Sequence, residues 1–308
     1  MKHAATPLTV QVDDLLMSYG DTPVLKGVSF EARRGEVLVL LGPNGAGKTT
    51  TIEILEGFRM RSGGSVQVLG VDPVDGDEAW RARLGVVLQS WRDHSRWKVS
   101  ELLGHLSEYY RPYSTPGRRR PLDTQHLLRL VGLEDKAHLK VAALSGGQRR
   151  RLDVAIGIIG NPELLFLDEP TAGFDPKARH DFHEMIKRLS DLEDTTIILT
   201  THDLSEAEKL SDRIIILAGG TIVANGTADE LAREVSGQAE VRWEQNGKKM
   251  SQATDDTTAF VRELLDKHKK GIDHLEVTRA SLEDTYMTIV AKHEKPQPES
   301  MPEKGAKR

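Results

Sequence analysis

The sequence contains no cysteine, few aromatic residues (5%) and no long apolar run. The absence of cysteine excludes disulfides, thiolate zinc sites and a cysteine nucleophile, and it suits a reducing compartment. No stretch approaches the roughly 18 consecutive apolar residues that a membrane span requires. Residues 1–14 also lack the apolar segment of a signal peptide. We therefore expect a cytoplasmic protein that reaches a membrane only through a partner.

A net basic charge is also missing. The formal net charge is −5, which argues against a general nucleic-acid binder, because such proteins carry a basic surface. With 38% hydrophobic and 29% charged residues, the chain has the composition of a globular protein. Its 308 residues favour one large domain plus a small one.

Strand and helix patterns alternate along most of the chain, which predicts a parallel α/β sheet. Strands are expected at 8–12, 24–30, 36–41, 65–69, 84–88, 164–167, 195–200 and 214–217. Helices are expected at 176–192 and at 50–58, the latter with Phe58 on its apolar face. Residues 91–163 instead carry three helical patterns and a basic loop at 117–121, and are interpreted as a helical subdomain inserted into the sheet.

Residues 8–226 are thus assigned to the main domain, and residues 227–290 to a smaller α+β domain. The small domain reads as a ββαβα module, with a hairpin turn at Asn246 and Gly247, a helix at 257–268, a strand at 275–277 and a capped helix at 281–290. Its predicted core comprises Val241, Trp243, Phe260, Leu264, Leu265 and Leu275. Residues 291–308, which are mostly charged or small and include three prolines, are expected to form a disordered tail.

The most specific motif is a glycine-rich loop between the strand at 36–41 and the helix that follows. Its backbone N–H groups can surround phosphate oxygens, and the helix N-terminus adds its positive end. Lys48 is expected to reach the β- and γ-phosphates, and the Thr49 hydroxyl is placed to ligate Mg²⁺. The loop comprises Gly42, Pro43, Asn44, Gly45, Ala46, Gly47, Lys48, Thr49 and Thr50.

Two further motifs point to phosphate chemistry. Asp168 and Glu169 end the apolar strand at 164–167; Asp168 can hold the magnesium shell, and Glu169 can polarise a water for in-line attack. A second glycine-rich helix start provides a second anion site, and two such sites in one chain are unusual for a simple kinase or GTPase. This second start comprises Ser145, Gly146, Gly147 and Gln148. The arginines at 149–151 are interpreted as a solvated helix face with one arginine near phosphate, rather than as a nucleic-acid patch.

The motif set, with Leu-Ser-Gly-Gly-Gln at 144–148, resembles the nucleotide-binding subunit of ABC transporters over roughly residues 8–225. The resemblance implies a P-loop NTPase core that binds ATP and Mg²⁺. It implies that Tyr19 stacks on adenine and that Gln89 contacts Mg²⁺ and the membrane partner. It further implies that His202 contacts the γ-phosphate and that Asp175 lies in a loop at a dimer interface. Phe174 stands where the family usually has leucine.

In this family the second glycine-rich site faces the phosphate loop of another subunit. The resemblance therefore implies that ATP is sandwiched between two chains, as a homodimer or with a paired ATPase subunit, and that Ser145 and Gly147 contact the γ-phosphate held by the other chain. Residues 280–287 resemble a C-terminal segment of the ABC-2, daunorubicin-resistance-like exporters. This favours an exporter motor on the cytoplasmic face of the membrane. Residues 90–97, which include Trp91 and Trp97, are the predicted contact with its permease. The alternative is that both tryptophans pack inside the helical subdomain.

Two alternative functions are weighed against this one. A soluble cassette ATPase of translation or DNA repair would usually carry two cassettes, a coiled coil or a zinc insertion, and the sequence shows none of these. A non-catalytic nucleotide-binding module is disfavoured by the intact Lys48, Asp168, Glu169 and His202. The sequence does not specify the cargo, and drugs, lipids and other hydrophobic or polymeric molecules remain open.

Overall fold

The computed structural model describes residues 7–87, 94–171, 174, 176–193, 195–236, 239–245, 248–254, 256–268, 271–278, 286–287 and 290. The strands in these ranges are β1 (Leu8–Tyr19), β2 (Thr22–Arg33), β3 (Val37–Leu41), β4 (Gly63–Val68), β5 (Leu84–Val87), β6 (Leu164–Asp168), β7 (Thr196–Thr201), β8 (Arg213–Ala218), β9 (Thr221–Gly226), β10 (Ala239–Gln245), β11 (Lys248–Thr254) and β12 (Ile272–Thr278). The α-helices are α1 (Lys48–Leu55), α2 (Glu78–Arg81), α3 (Val99–Tyr110), α4 (Thr124–Leu130), α5 (Gly146–Ile158), α6 (Pro176–Glu193), α7 (Leu204–Leu210), α8 (Ala228–Ser236) and α9 (Thr257–Lys267).

The central sheet has six strands in the order β5-β6-β7-β3-β8-β9. All neighbours in it are parallel except β8 and β9, which pair antiparallel. Strands β6, β7 and β3 lie side by side, so their carboxyl ends at Asp168, Thr201 and Leu41 meet at one edge of the sheet. Open α/β sheets bind ligands at this edge, and the phosphate loop, the acidic pair and His202 converge there.

The alternation of side chains along β3 divides the interior into two cores. Val37, Val39 and Leu41 pack on one face, in a cluster with apolar residues of α3, α4, α5, α6 and α7. Leu38 and Leu40 pack on the other face, with α1 and a separate antiparallel sheet of order β2-β1-β4. A strand buried on both faces reads as a continuous apolar run, as the sequence of 37–41 does. The predicted α/β class is confirmed.

Helix α1 is shorter than the predicted helix at 50–58. It ends at Leu55, because Gly57 adopts a left-handed conformation (φ 77°) that a continuing helix does not allow. Phe58 therefore lies beyond the helix and is 68% exposed, so its expected place on the apolar face is wrong. The antiparallel sheet β2-β1-β4, helix α7 and strand β9 were also not predicted from the sequence pattern.

The C-terminal sheet has the antiparallel order β11-β10-β12 and is covered by α9, in the predicted order ββαβ. Val241, Trp243 and Leu264 are buried in its core, and Phe260 packs against them. Leu265 and Leu275 are 48% and 38% exposed, so their predicted core positions are wrong. Successive helix residues point about 100° apart, and Leu264 already takes the position facing the sheet. Most of the predicted helix at 281–290 lies outside the described residues.

The segments that precede and follow this small sheet in the sequence both pack against the main core. Leu231 of α8 is fully buried in the cluster around β3, and Val290 belongs to the same cluster. Tyr286 packs against it from the periphery. Among the helices that the structure describes, none is both long enough and apolar enough to cross a bilayer.

Candidate active site

Lys48 is the first residue of α1 and lies buried at the carboxyl edge of the central sheet, with 5% of its surface exposed. Its ammonium donates to the carbonyl oxygens of Gly42 (2.7 Å) and Pro43 (3.2 Å) and lies 3.7 Å from a Glu169 carboxylate oxygen. Burial lowers the pKa of Lys48, and the charges of Glu169 and Asp168 oppose that effect. The loop thus holds the Lys48 ammonium within its own turn.

Two glycines of this loop, Gly47 and Gly45, differ in how closely other atoms pack around them. Gly47 has φ 103°, and a Cβ there would lie 2.5 Å from a Leu25 methyl carbon, so neither the backbone nor the packing tolerates a side chain. Gly45 has φ 81° and is exposed, and a Cβ there would meet no atom within 4 Å. The loop is therefore fixed by packing on the sheet side and left open on the outer side.

Asp168 is held between two hydroxyl groups. Thr49 Oγ1 donates to its carboxylate oxygens at 3.2 and 3.4 Å, and Thr200 Oγ1, from the neighbouring strand β7, also donates to it. Hydroxyl and carboxylate oxygens are the hard ligands that Mg²⁺ prefers. The donor set of Thr49 and Asp168 therefore fits the predicted magnesium site. Thr200 was not predicted as a site residue from the sequence, because its position beside Asp168 depends on the pairing of β6 with β7.

Glu169 occupies a strained position directly after β6. Its φ is 41°, a left-handed value that non-glycine residues rarely adopt. Its backbone N–H donates to the carbonyl oxygen (3.2 Å) and to the hydroxyl (3.0 Å) of Thr200, which hold this conformation. One carboxylate oxygen lies 3.2 Å from Nδ1 of His202, the first residue after β7. The structure thus brings Lys48, Glu169 and His202 into one chain of contacts.

The second glycine-rich segment begins helix α5 with a capping box. Ser145 Oγ accepts from the Gln148 N–H (3.4 Å), and the Gln148 side chain accepts from the Ser145 N–H (3.0 Å). Ser145 and Gly146 are both exposed, and a Cβ at Gly146 would meet no atom within 4 Å. Nothing within the described part of the chain requires a glycine at 146.

Of the arginines at 149–151, Arg150 does not lie on the predicted solvated helix face. This side chain is 7% exposed; its Nε donates to the Pro170 carbonyl (2.9 Å), and Nη2 lies 3.5 Å from the Asp168 carbonyl. Burial lowers the pKa of the Arg150 guanidinium. Arg150 therefore joins α5 to the end of β6, where the charge of Asp168 acts on its guanidinium.

Two predicted site residues, Gln89 and Asp175, lie outside the described residues. Tyr19 ends β1 and is 43% exposed, with its hydroxyl 3.5 Å from Thr50 Oγ1. Phe174 packs edge-on against Phe182 of α6, at 5.8 Å between ring centroids. The exposed Tyr19 ring thus stands next to the helix that begins at the phosphate loop.

Glu56, which sequence reasoning missed, follows α1 and is 7% exposed. Burial, together with the charges of Asp168 and Glu53, raises the pKa of its carboxyl to about 8 from 4.5. Folding therefore favours the protonated form, and its stabilising effect is present below pH 4.5 and lost as the pH rises toward 8. Between these two pKa values the free energy of unfolding of the wild type should fall by about 1.4 kcal/mol per pH unit. Glu56→Gln removes this loss. The free energy of unfolding of the variant relative to the wild type should therefore be roughly 3–5 kcal/mol higher at pH 8.5 than at pH 4.5.

Urea denaturation of wild type and Glu56→Gln at several pH values measures this difference. The exposed Glu184 offers a matched control, since Glu184→Gln should leave the pH dependence of stability unchanged. Parallel stability profiles for wild type and Glu56→Gln across the range from about pH 4.5 to 8.5 would contradict a buried, protonated Glu56.

Comparison with known proteins places this geometry in a family. The family model described as "ABC transporter" matches residues 25–172. The chain is 42% identical over 228 residues to the Nod factor export ATP-binding protein I of Ralstonia nicotianae, covering 74% of this chain and 69% of that protein. It is 39% identical over 231 residues to the daunorubicin resistance ATP-binding protein DrrA3 of Streptomyces coeruleorubidus, covering 74% and 71%.

A solved structure described as the ATP-binding subunit of an ABC transporter is 28% identical and superposes with a TM-score of 0.61. The match covers 73% of this chain and 92% of that one. The identity over most of both chains, the shared fold and the clustered phosphate-loop, acidic and histidine residues agree with one another. The chain belongs to the ABC transporter family, as one of its ATP-binding, ATP-hydrolysing subunits.

Proposed function

We propose that the chain is the motor of a membrane exporter and that Lys48, Asp168, Glu169 and His202 form its hydrolytic site. The observation that carries the proposal is the run of contacts from Lys48 through Glu169 to His202 at one sheet edge. Each member has a partner that orients it before substrate binds. Such preorganisation is the main way in which phosphoryl transfer is accelerated.

Hydrolysis follows from the roles of these residues. The N–H groups of the loop and Lys48 bind the β- and γ-phosphates. Glu169 accepts a proton from water as the water oxygen bonds to the γ-phosphorus and the bond from that phosphorus to the bridging oxygen breaks, releasing ADP and phosphate. His202 holds the Glu169 carboxylate through Nδ1. Thr49 and Asp168 would hold Mg²⁺, which neutralises phosphate charge when bound. Gln89 is proposed as a further contact to it.

We also propose that two chains share each ATP. The exposed Gly146 at the start of α5 supports this, because the residues that the structure describes supply no reason for a glycine there. A second chain that approaches closely would supply one. Ser145, Gly147 and Gln148 would then face a γ-phosphate held by the partner, and Asp175 would lie near the interface.

The domain boundaries are likewise proposed. Residues 8–226 form the ATP-binding domain, with the helical subdomain at about 91–163, and 227–290 an accessory domain before a tail at 291–308. The separate core of Val241, Trp243 and Leu264 supports an accessory unit. None of the proposed nucleotide contacts lies within it.

Export is supported by the relatives, since both named proteins are ATP-binding subunits of export or resistance systems. A role in translation or DNA repair finds no support among them. The chain would then work on the cytoplasmic face of the membrane, bound to a permease. In the predicted contact segment 90–97, Trp97 is 37% exposed and packs beside His105 (5.1 Å between centroids), whereas Trp91 lies outside the described residues.

Phe58 and Met60 are a second exposed apolar feature, 68% and 72% exposed in the loop after α1. If they touch the permease, the double substitution Phe58→Ser, Met60→Ser should reduce recovery of an integral-membrane protein with the tagged chain from detergent-solubilised membranes. Basal ATPase activity and thermal stability of the isolated chain should stay at wild-type values, because neither side chain is buried. Leu265→Ser, on the exposed side of α9, is the matched control. Recovery of wild type with ribosomes or DNA instead of membranes would contradict the proposed function.

A further inference from the structure

Arg59 lies over the ring of Tyr19, a contact that plays no part in the phosphate chemistry. Its guanidinium carbon is 4.8 Å from the ring centroid, within the range of a cation–π interaction. Its Nε also donates to a Glu53 carboxylate oxygen at 2.6 Å. The side chains of Arg59 and Glu53 are 32% and 33% exposed, so this row of three groups stands at the surface beside the phosphate loop.

The row connects Tyr19 to helix α1 at two points. The hydroxyl of Tyr19 is 3.5 Å from Oγ1 of Thr50, and the ring is joined to Glu53 through Arg59. Thr50 and Glu53 both belong to α1, the helix that starts at Lys48. The orientation of the ring is therefore set relative to the phosphate site, although the residue is partly exposed to solvent.

An aromatic ring has two faces, and the guanidinium covers one of them. Tyr19 is nevertheless 43% exposed, and stacking on an uncovered ring face is favourable for a nucleotide base. We propose that Arg59, held by Glu53, is a positioning residue that fixes Tyr19 so that its second face receives the base of the bound nucleotide. This inference rests on the proposed role of Tyr19 in stacking on adenine.

The physical basis is preorganisation. A side chain that is already ordered loses less conformational freedom when the ligand binds, and each such ordering affects the dissociation constant by about two- to tenfold. Arg59→Gln should therefore weaken ATP binding by about threefold to tenfold. Arg59→Lys, which retains a cation, should lose less. Glu53→Gln, which frees the guanidinium, should act in the same direction as Arg59→Gln.

Titration calorimetry of the full chain with ATP and, separately, with inorganic tripolyphosphate tests the inference. Tripolyphosphate carries the phosphate chain of ATP but no base, so its affinity should be unchanged by Arg59→Gln. Arg81→Gln, at the exposed end of α2, removes the same charge elsewhere and should change neither affinity. In a Tyr19→Ala background, which itself weakens ATP binding, Arg59→Gln should have no further effect.

Several results would overturn the proposal. One is ATP binding that is unchanged or tighter in Arg59→Gln, as expected if the guanidinium only blocks the ring. Another is an equal loss for tripolyphosphate, which would place Arg59 in the phosphate site. If Tyr19→Ala binds ATP with wild-type affinity, Tyr19 does not stack on the base and this inference is wrong. If that variant still binds tripolyphosphate, the proposed phosphate site is unaffected by this result. A wild-type chain that binds neither ligand would overturn the proposed function as well.

Discussion

Glu169→Gln is expected to lower ATP turnover by roughly two to four orders of magnitude while ATP binding is retained. The amide keeps the size of the side chain and can still lie near His202, but it cannot accept a proton from the attacking water. The rate is measured as phosphate release, and binding as the dissociation constant for ATP. Lys48→Ala provides the contrast, because it removes the buried cation and should weaken ATP binding itself.

A second variant, His202→Ala, tests the same assignment. His202→Ala leaves the Glu169 carboxylate in place but removes the nitrogen 3.2 Å from it. Its turnover should fall less than that of Glu169→Gln if Glu169 is the proton acceptor. Wild-type-like turnover in Glu169→Gln would rule out the catalytic assignment of that residue.

Mixing two inactive variants is expected to restore activity if each ATP is shared by two chains. A dimer of one Lys48→Ala chain and one Ser145→Arg chain places both lesions in one site and leaves the other site intact. Each homodimer carries a lesion in both sites. An equal mixture should therefore recover about a quarter of wild-type turnover, since half of the dimers are mixed and each keeps one of two sites.

Sedimentation velocity with and without ATP, in the Glu169→Gln background, follows the dimer directly. The Lys48→Ala and Ser145→Arg proteins mixed without ATP serve as the control for prior association. If mixing restores no turnover and ATP changes no sedimentation coefficient, each site is complete within one chain.

The chemistry of the site could be predicted from the sequence because its signals are local. The loop ending in Lys48 and Thr49 and the acidic end of β6 each occupy a few consecutive residues. What could not be predicted is that β7 lies between β6 and β3, since strand order is set by contacts between distant segments. That order is what places Thr200 against Asp168 and His202 against Glu169.

Strand β1 is longer than its sequence pattern predicts, because a local irregularity interrupts the alternation. The alternating pattern stops at Val12, yet the strand continues to Tyr19. Between Val12 and Leu15 the pairing with β2 shifts register, and Asp14 adopts φ 50° with its N–H donating to Ser29 Oγ (2.8 Å). Such a bulge shifts the following residues to the opposite face of the strand. A strict two-residue period therefore underestimates the length of the strand.

Contacts between distant segments also determine which arginine of the basic loop at 117–121 is buried. In the sequence Arg120 is one of three consecutive arginines, yet in the fold it is 6% exposed. Its guanidinium bonds to the Glu163 carboxylate (3.0 Å) and the Ala82 carbonyl (3.2 Å). A buried arginine requires such partners, and neither is adjacent in the sequence. The pattern alone therefore does not distinguish a surface charge from a buried one.

The contacts of Leu231 and Val290 with the main core have a consequence for local unfolding. Among the residues that the structure describes between them, the cluster of the small sheet and α9 has three buried apolar members, so its opening should require little free energy. Its amide hydrogens should therefore exchange with deuterated solvent sooner than those of β3, β6 and β7. Because the chain is held on the main core at both sides, β10–β12 could open and re-form many times in one molecule while the strands that carry the ATP site stay protected from exchange.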